Sequence, residues 1–103
     1  MDHASLIVQY ADERRSYVTR HIAGETLIVP VTGHVMDLDA IYVLNPVASR
    51  IWELLRSPTT SEQIADRIAT EFDVSVETAA TDVVEFVASL RSRGLVADAP
   101  APA

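Results

Sequence analysis

Tyr42-Val43-Leu44-Asn45-Pro46-Val47-Ala48-Ser49-Arg50-Ile51-Trp52-Glu53-Leu54-Leu55 changes its apolar period part-way along, and that change decides the fold. Up to Leu44 the residues are β-branched and aromatic, the composition of a short strand over Asp39 to Leu44 entered from the acidic corner Asp37-Leu38-Asp39. Asn45 then offers a side-chain acceptor to orphan helical N–H groups, and Pro46 suits a first helical position, where its missing N–H costs nothing. Beyond it Ala48, Ile51, Trp52 and Leu55 recur at helical spacing, which predicts a helix from about Pro46 to Arg56. The chain is therefore β-type before Asn45 and helical after it.

Working backward, Tyr17-Val18-Thr19-Arg20-His21-Ile22 and Thr26-Leu27-Ile28-Val29 read as strands joined by Ala23-Gly24-Glu25, whose glycine supplies the positive φ of a short hairpin turn. Pro30 is expected to end or edge the second strand, and Gly33 punctuates the loop after it. Working forward, Ser57-Pro58-Thr59 breaks the first helix. Thr60 and Gln63 form a capping box for a second helix with Ile64, Ala65, Ile68 and Phe72 inward. After the turn Asp73-Val74, Ser75 caps a third helix carrying Val76, Ala79, Val83, Phe86, Val87 and Leu90, which ends at Gly94 with Arg91 and Arg93 near the negative end of its dipole. A three-stranded antiparallel sheet followed by three helices is an α+β fold of winged helix-turn-helix type. Its expected extent is residues 17–96. Residues 1–16 have no clean period and 97–103 are an alanine–proline run, so both ends are expected to be flexible.

The chain has 103 residues, 49% of them apolar, which suits one domain with a single core. It has no cysteine, so disulfides, thiolate metal sites and thiol nucleophiles are excluded. No apolar run approaches the ~20 residues of a membrane span, and Met1-Asp2-His3 lacks the cationic start of a signal peptide. A cytoplasmic protein with no membrane partner is the expectation. Fifteen acidic residues against eight basic ones, all arginine, give a formal charge of −7.

That charge bears on nucleic acid. A recognition helix brings arginine, lysine and amides to phosphates and base edges. The third helix from Val76 to Leu90 instead carries Glu77, Asp82 and Glu85 with no basic residue, and the second sets Arg67 among Glu62, Asp66 and Glu71. DNA is not expected as a partner. Nor is catalysis. His3, His21 and His34 have no metal-type spacing, and His34 with Asp37 and Asp39 reads as a polar loop, so neither a metal nor another cofactor is expected. Ser49, Ser57, Ser61, Ser75, Ser89 and Ser92 occupy caps, turns or exposed helix without an activating histidine. Gly24, Gly33 and Gly94 stand apart and make no phosphate loop. Trp52 lies on the apolar face of its helix and reads as core.

Two features exceed what a bare core needs. Val76, Ala79, Ala80, Val83, Val84, Phe86, Val87 and Leu90 span an arc of roughly 160° on the third helix, where about 100° faces one core. Strand wrapping and a partner are both open explanations. The third strand also has no lysine or proline guarding its edge. An open strand edge beside an apolar helix is a receptor for an extended peptide, and homodimerisation through the same edge is the competing reading.

The order Ile22-Ala23-Gly24-Glu25, then Tyr42-Val43-Leu44-Asn45-Pro46-Val47-Ala48 into Ile51-Trp52-Glu53-Leu54-Leu55, then Thr60-Ser61-Glu62-Gln63-Ile64 and Phe72-Asp73-Val74, then Asp82-Val83-Val84-Glu85-Phe86 and Leu90 through Gly94-Leu95-Val96, resembles the PqqD family over residues 17–96. The resemblance implies a non-catalytic peptide chaperone that recognises ribosomally made, post-translationally modified precursors. Such domains hold the leader as an antiparallel strand on the third strand, flanked by the third helix, and present the core segment to a modifying enzyme, often a radical S-adenosylmethionine protein. The namesake pathway makes pyrroloquinoline quinone. By position, the peptide-binding residues implied are Ala40, Ile41, Tyr42, Val43 and Leu44, with Val83, Phe86, Val87 and Leu90. Two other classes stay open beside this one: a winged-helix DNA-binding regulator and a dimerising module with no peptide ligand.

Overall fold

A computed structural model describes residues 6–9, 15–32, 35–36 and 41–99. Its elements in chain order are β1 (Ile7–Gln9), β2 (Arg15–Ile22), β3 (Glu25–Thr32), β4 (Val35–Met36), β5 (Tyr42–Leu44), α1 (Pro46–Leu54), α2 (Ser61–Phe72), α3 (Val76–Ser92) and β6 (Val96–Asp98). The class is mixed α+β, with antiparallel strands and three helices. The described residues fall into two compact units, one from the span 11–49 and the other from 1–10 and 50–103.

The first unit is an antiparallel sheet in which β2 pairs with β3 along its whole length, while β4 and β5 both pair with β3. Because β2 occupies one edge of β3 from Glu25 to Thr32, β4 and β5 share the other. The β2–β3 turn is tighter than the glycine alone indicates: Ala23 has φ +51° as well as Gly24 at +82°, with Ile22 and Glu25 paired directly across. Both central residues with positive φ match the twist of the flanking strands, at the cost of placing an alanine Cβ in the left-handed region. Pro30 does not end β3, contrary to expectation. It sits in register with Tyr17, and on the other edge it falls between the segments paired to β5 (Thr26–Ile28) and to β4 (Val31–Thr32), so its missing N–H removes no ladder bond there. Thr26, fully buried, shares a 3.1 Å hydrogen bond with His21 Nδ1 across the hairpin.

The helices are built from the signals after Leu44, and the second unit takes them up from Arg50. α1 begins at Pro46 as expected, the Ala48 N–H donating to Asn45 Oδ1 at 2.8 Å. The α2 capping box is complete: the Gln63 N–H donates to Thr60 Oγ1 (3.0 Å) and the Thr60 N–H to Gln63 Oε1 (3.2 Å). Ser75 caps α3 through the Thr78 N–H (3.1 Å). At the other end Gly94, at φ +74°, turns the chain so that the Leu95 N–H reaches Leu90 O at 3.0 Å. Ile51, Trp52, Leu55, Ile64, Ile68, Val83 and Leu90 are buried, the helical stripes expected to form the core. Burial of such side chains contributes roughly 1.5–3 kcal/mol each.

Flexible ends are not what the structure has at residues 7–9 and 97–98. β1 pairs antiparallel with β6, Val8 opposite Ala97, and the other side of β1 bonds the loop after α1, the Ile7 N–H donating to Thr59 O (2.6 Å) and the Gln9 N–H to Leu55 O (2.8 Å). Backbone pairing and the burial of Ile7 and Val96 hold these segments, and neither needs an apolar period within the segment itself. Among the described residues no helix is long and apolar enough to cross a membrane.

Candidate functional site

In the sheet unit, the expected peptide-binding strand is β5, flanked by Ile41; Ala40 lies outside the described residues. β5 pairs with β3 on one side, Thr26 opposite Leu44, Leu27 opposite Val43 and Ile28 opposite Tyr42, and among the described residues no named strand pairs with its other side.

Two features determine which backbone groups face that open side. A two-residue turn is closed by a hydrogen-bonded pair, here Ile22 with Glu25. Bonded pairs then recur at every second position, Arg20 with Leu27 and Val18 with Val29, which leaves Tyr17 with Pro30 as a non-bonded pair. Proline at position 30 demands the same phase, because a bonded pair there would need its N–H. Thr26 and Ile28 therefore direct their N–H and C=O groups away from β2 and toward β5. Leu44 and Tyr42 are their partners, and Val43 points its own N–H and C=O to the open edge.

Side chains follow the same alternation. Tyr42 and Leu44 share a face with Thr26 and Ile28, and Leu44, Thr26 and Ile28 are buried. Val43 shares the opposite face with Leu27, and Val43 and the neighbouring Ile41 are 60% and 41% exposed.

In the helical unit, α3 packs against α2 and β6. Its wide apolar arc divides accordingly. Val83, Val87 and Leu90 are buried together with Ala79, Phe86 is half-buried, and Val76 and Val84 are exposed. Of the four α3 residues named by position, Phe86 thus keeps the most side-chain surface. Val84 and Ala88 instead line an open groove of about 590 Å³ with Ile7, Ser61, Glu62 and Arg91. The width of the arc was readable from spacing; which part α2 and β6 consume was not.

Charge on this unit is arranged as solvated surface. Glu77, Asp82 and Glu85 are exposed along α3. Arg50 of α1 reaches Glu71 of α2 through Nε and Nη2 (2.8 and 3.1 Å) and Glu53 through Nη1 (2.7 Å). The bond from Arg50 holds the Glu71 carboxyl below its ordinary range, and the same bond raises the arginine. Arg91 bonds Asp98 at 2.7 Å. Among the described residues no group of three His, Asp or Glu side chains is placed to hold a metal ion, and the His34, Asp37 and Asp39 loop lies outside them.

A family model described as Coenzyme PQQ synthesis protein D (PqqD) matches residues 33–96, more than half of the chain, a span that takes in β4, β5 and all three helices and ends at the start of β6. The chain belongs to the PqqD family. A solved structure, TbiB1 in complex with the TbiA(beta) leader peptide, is similar to this PqqD-family chain with a TM-score of 0.66 and 25% identity, over 88% of this chain and 98% of the other. No curated protein matches the sequence.

Proposed function

We propose that this PqqD-family chain binds the leader of a ribosomally made precursor peptide as an antiparallel strand added to β5, and presents the precursor to a separate modifying enzyme, of radical S-adenosylmethionine type. It acts as a carrier and not as a catalyst. The observation that carries the reading is the outward-facing backbone of Val43 on an edge that, among the described residues, pairs on one side only. The family, and the similar fold of TbiB1 in complex with a leader peptide, support the choice of ligand. Exposed carboxylates along α3 speak against the DNA-binding alternative.

The phase of the ladder makes the test asymmetric. Val43→Pro removes an outward donor and leaves the β3–β5 bonds in place, whereas Tyr42→Pro removes a bond to Ile28 inside the sheet. Val43→Pro is expected to melt close to the parent by circular dichroism. It should bind a leader peptide, taken from a short reading frame beside the gene, at least about tenfold more weakly by calorimetry, a loss of about 1.4 kcal/mol. Tyr42→Pro should be globally destabilised. A folded Val43→Pro that binds like the parent rules out strand addition at this edge.

A further inference from the structure

The flank of α3 that the core leaves open is self-complementary. Val84 is 56% exposed, and four residues to either side of it stand Ala80, half-buried, and Ala88, exposed. Seven residues to either side stand Glu77 and Arg91, both exposed and of opposite charge. Seven residues make almost two full turns, so Glu77 and Arg91 share the face of Val84, each about 10 Å from it along the axis. Arg91 donates to Asp98 through Nη1 at 2.7 Å, and a guanidinium has further donors beyond that one bond. Glu77 has no ion pair among the described residues. The Arg91 half of the flank opens onto the groove walled by Ile7, Ser61 and Glu62, and the Glu77 half carries Val76, 48% exposed.

We propose that this flank receives a second copy of the chain, α3 against α3 in antiparallel sense about a two-fold axis at Val84. Such an axis sets each residue against the one equally distant from Val84 on the partner. Val84 meets its own copy, Ala80 meets Ala88, and Glu77 meets Arg91, the last two pairs each occurring twice. The charges select the occupant and its direction together: a parallel pair would set Glu77 against Glu77 and Arg91 against Arg91. An alanine on each side of Val84 lets the two helix axes approach closely. The partner's Val76 falls opposite Ser92, over the groove, which covers a valine that α3 otherwise leaves half in water. Phe86 lies about 160° round the helix from Val84, so the pairing leaves the Phe86 flank open. The proposal is independent of strand addition at β5. Its apolar centre is small, so the association is weak and reversible.

Sedimentation equilibrium of the full chain at low salt, over about 10 μM to 1 mM, tests this and should show reversible dimerisation. Glu77→Arg and Arg91→Glu, both at exposed sites, should each weaken self-association by about tenfold or more, because each sets like charges together. Mixed in equal amounts, the two variants should form a heterodimer about as strong as the parent dimer, since every opposed pair is again of opposite sign; the double variant should regain the homodimer. A misfolded variant cannot give that recovery, and circular dichroism melts check each one. Val84→Glu, which brings two carboxylates together on the axis, should be monomeric. A parent that stays monomeric to the top of the concentration range overturns the second copy as occupant and leaves the flank to a different protein. A dimer indifferent to all three single substitutions overturns this face. A dimer weakened by both charge variants, with no recovery in their mixture, overturns the antiparallel pairing of Glu77 with Arg91.

Discussion

The helical unit and the sheet unit divide the work of specification differently. From Arg50 onward each turn of structure is announced by its own residues: Thr60 with Gln63 opens α2, Ser75 opens α3, and Gly94 closes it. In the sheet unit, the same kinds of residue give strands and a turn, but the part proposed to bind the leader is a backbone edge with no side-chain signature. A helix satisfies its hydrogen bonds within four residues, so its sequence is a local record. A strand satisfies them on a partner, so which side of β5 stays unpaired among the described residues is visible only once β3 is in place.

The contrast is broken most directly at Trp52. If the helical stripes are the core, Trp52→Ala removes a side chain only 3% exposed and should cost about 3–5 kcal/mol, read from denaturant unfolding followed by circular dichroism. Phe86→Ala, at a half-buried position, should cost clearly less. Equal losses would mean that α3 buries its flank as fully as its centre. At the next level the capping box is the test of local specification: Thr60→Ala should lower stability by about 1 kcal/mol without altering the β3–β5 pairing. The sheet unit offers the opposite sign. Ala23→Asn keeps the positive φ with a residue that tolerates it, and should raise stability by about 0.5–1 kcal/mol in the same unfolding measurement. A loss instead would show that the turn relaxes in solution to another type.

The smallest effect is electrostatic. Glu71 has a folded pKa below its ordinary 4.5, so its pairing with Arg50 is fully present above that value and is lost as pH falls through the lowered one. Arg50, raised further above its already high value, stays charged throughout. Both groups are solvent-accessible and the pair bridges α1 to α2 at the surface. Glu71→Gln should therefore change the melting temperature slightly near pH 7 and converge with the parent once the pH has fallen through the lowered Glu71 value, which a pH series of thermal melts checks. Convergence at neutral pH would assign the pair no role.

Much of the fold was legible because it rests on short-range rules. Asn45-Pro46 marked the passage from strand to helix, the 3.6-residue period of Ile51, Trp52 and Leu55 marked the buried face, and Ala23-Gly24 marked the hairpin. For the candidate site the residues named a location, Ala40 to Leu44 with Val83, Phe86, Val87 and Leu90, and carried no geometry. Pro30 misled as a strand terminator because a proline's effect depends on which way its nitrogen faces. That direction is set by the register with Tyr17 and by the gap between β4 and β5.

By itself the sequence determined the class of the fold, the three helices with their caps, the hairpin and the helical core, since each depends on residues a few positions apart. Only the tertiary structure decided the pairing of Val8 with Ala97, the partition of the α3 arc between core and groove, and the outward direction of Val43. Each of these depends on partners distant in the chain, and a segment's own sequence records what it can pair with, not what it does.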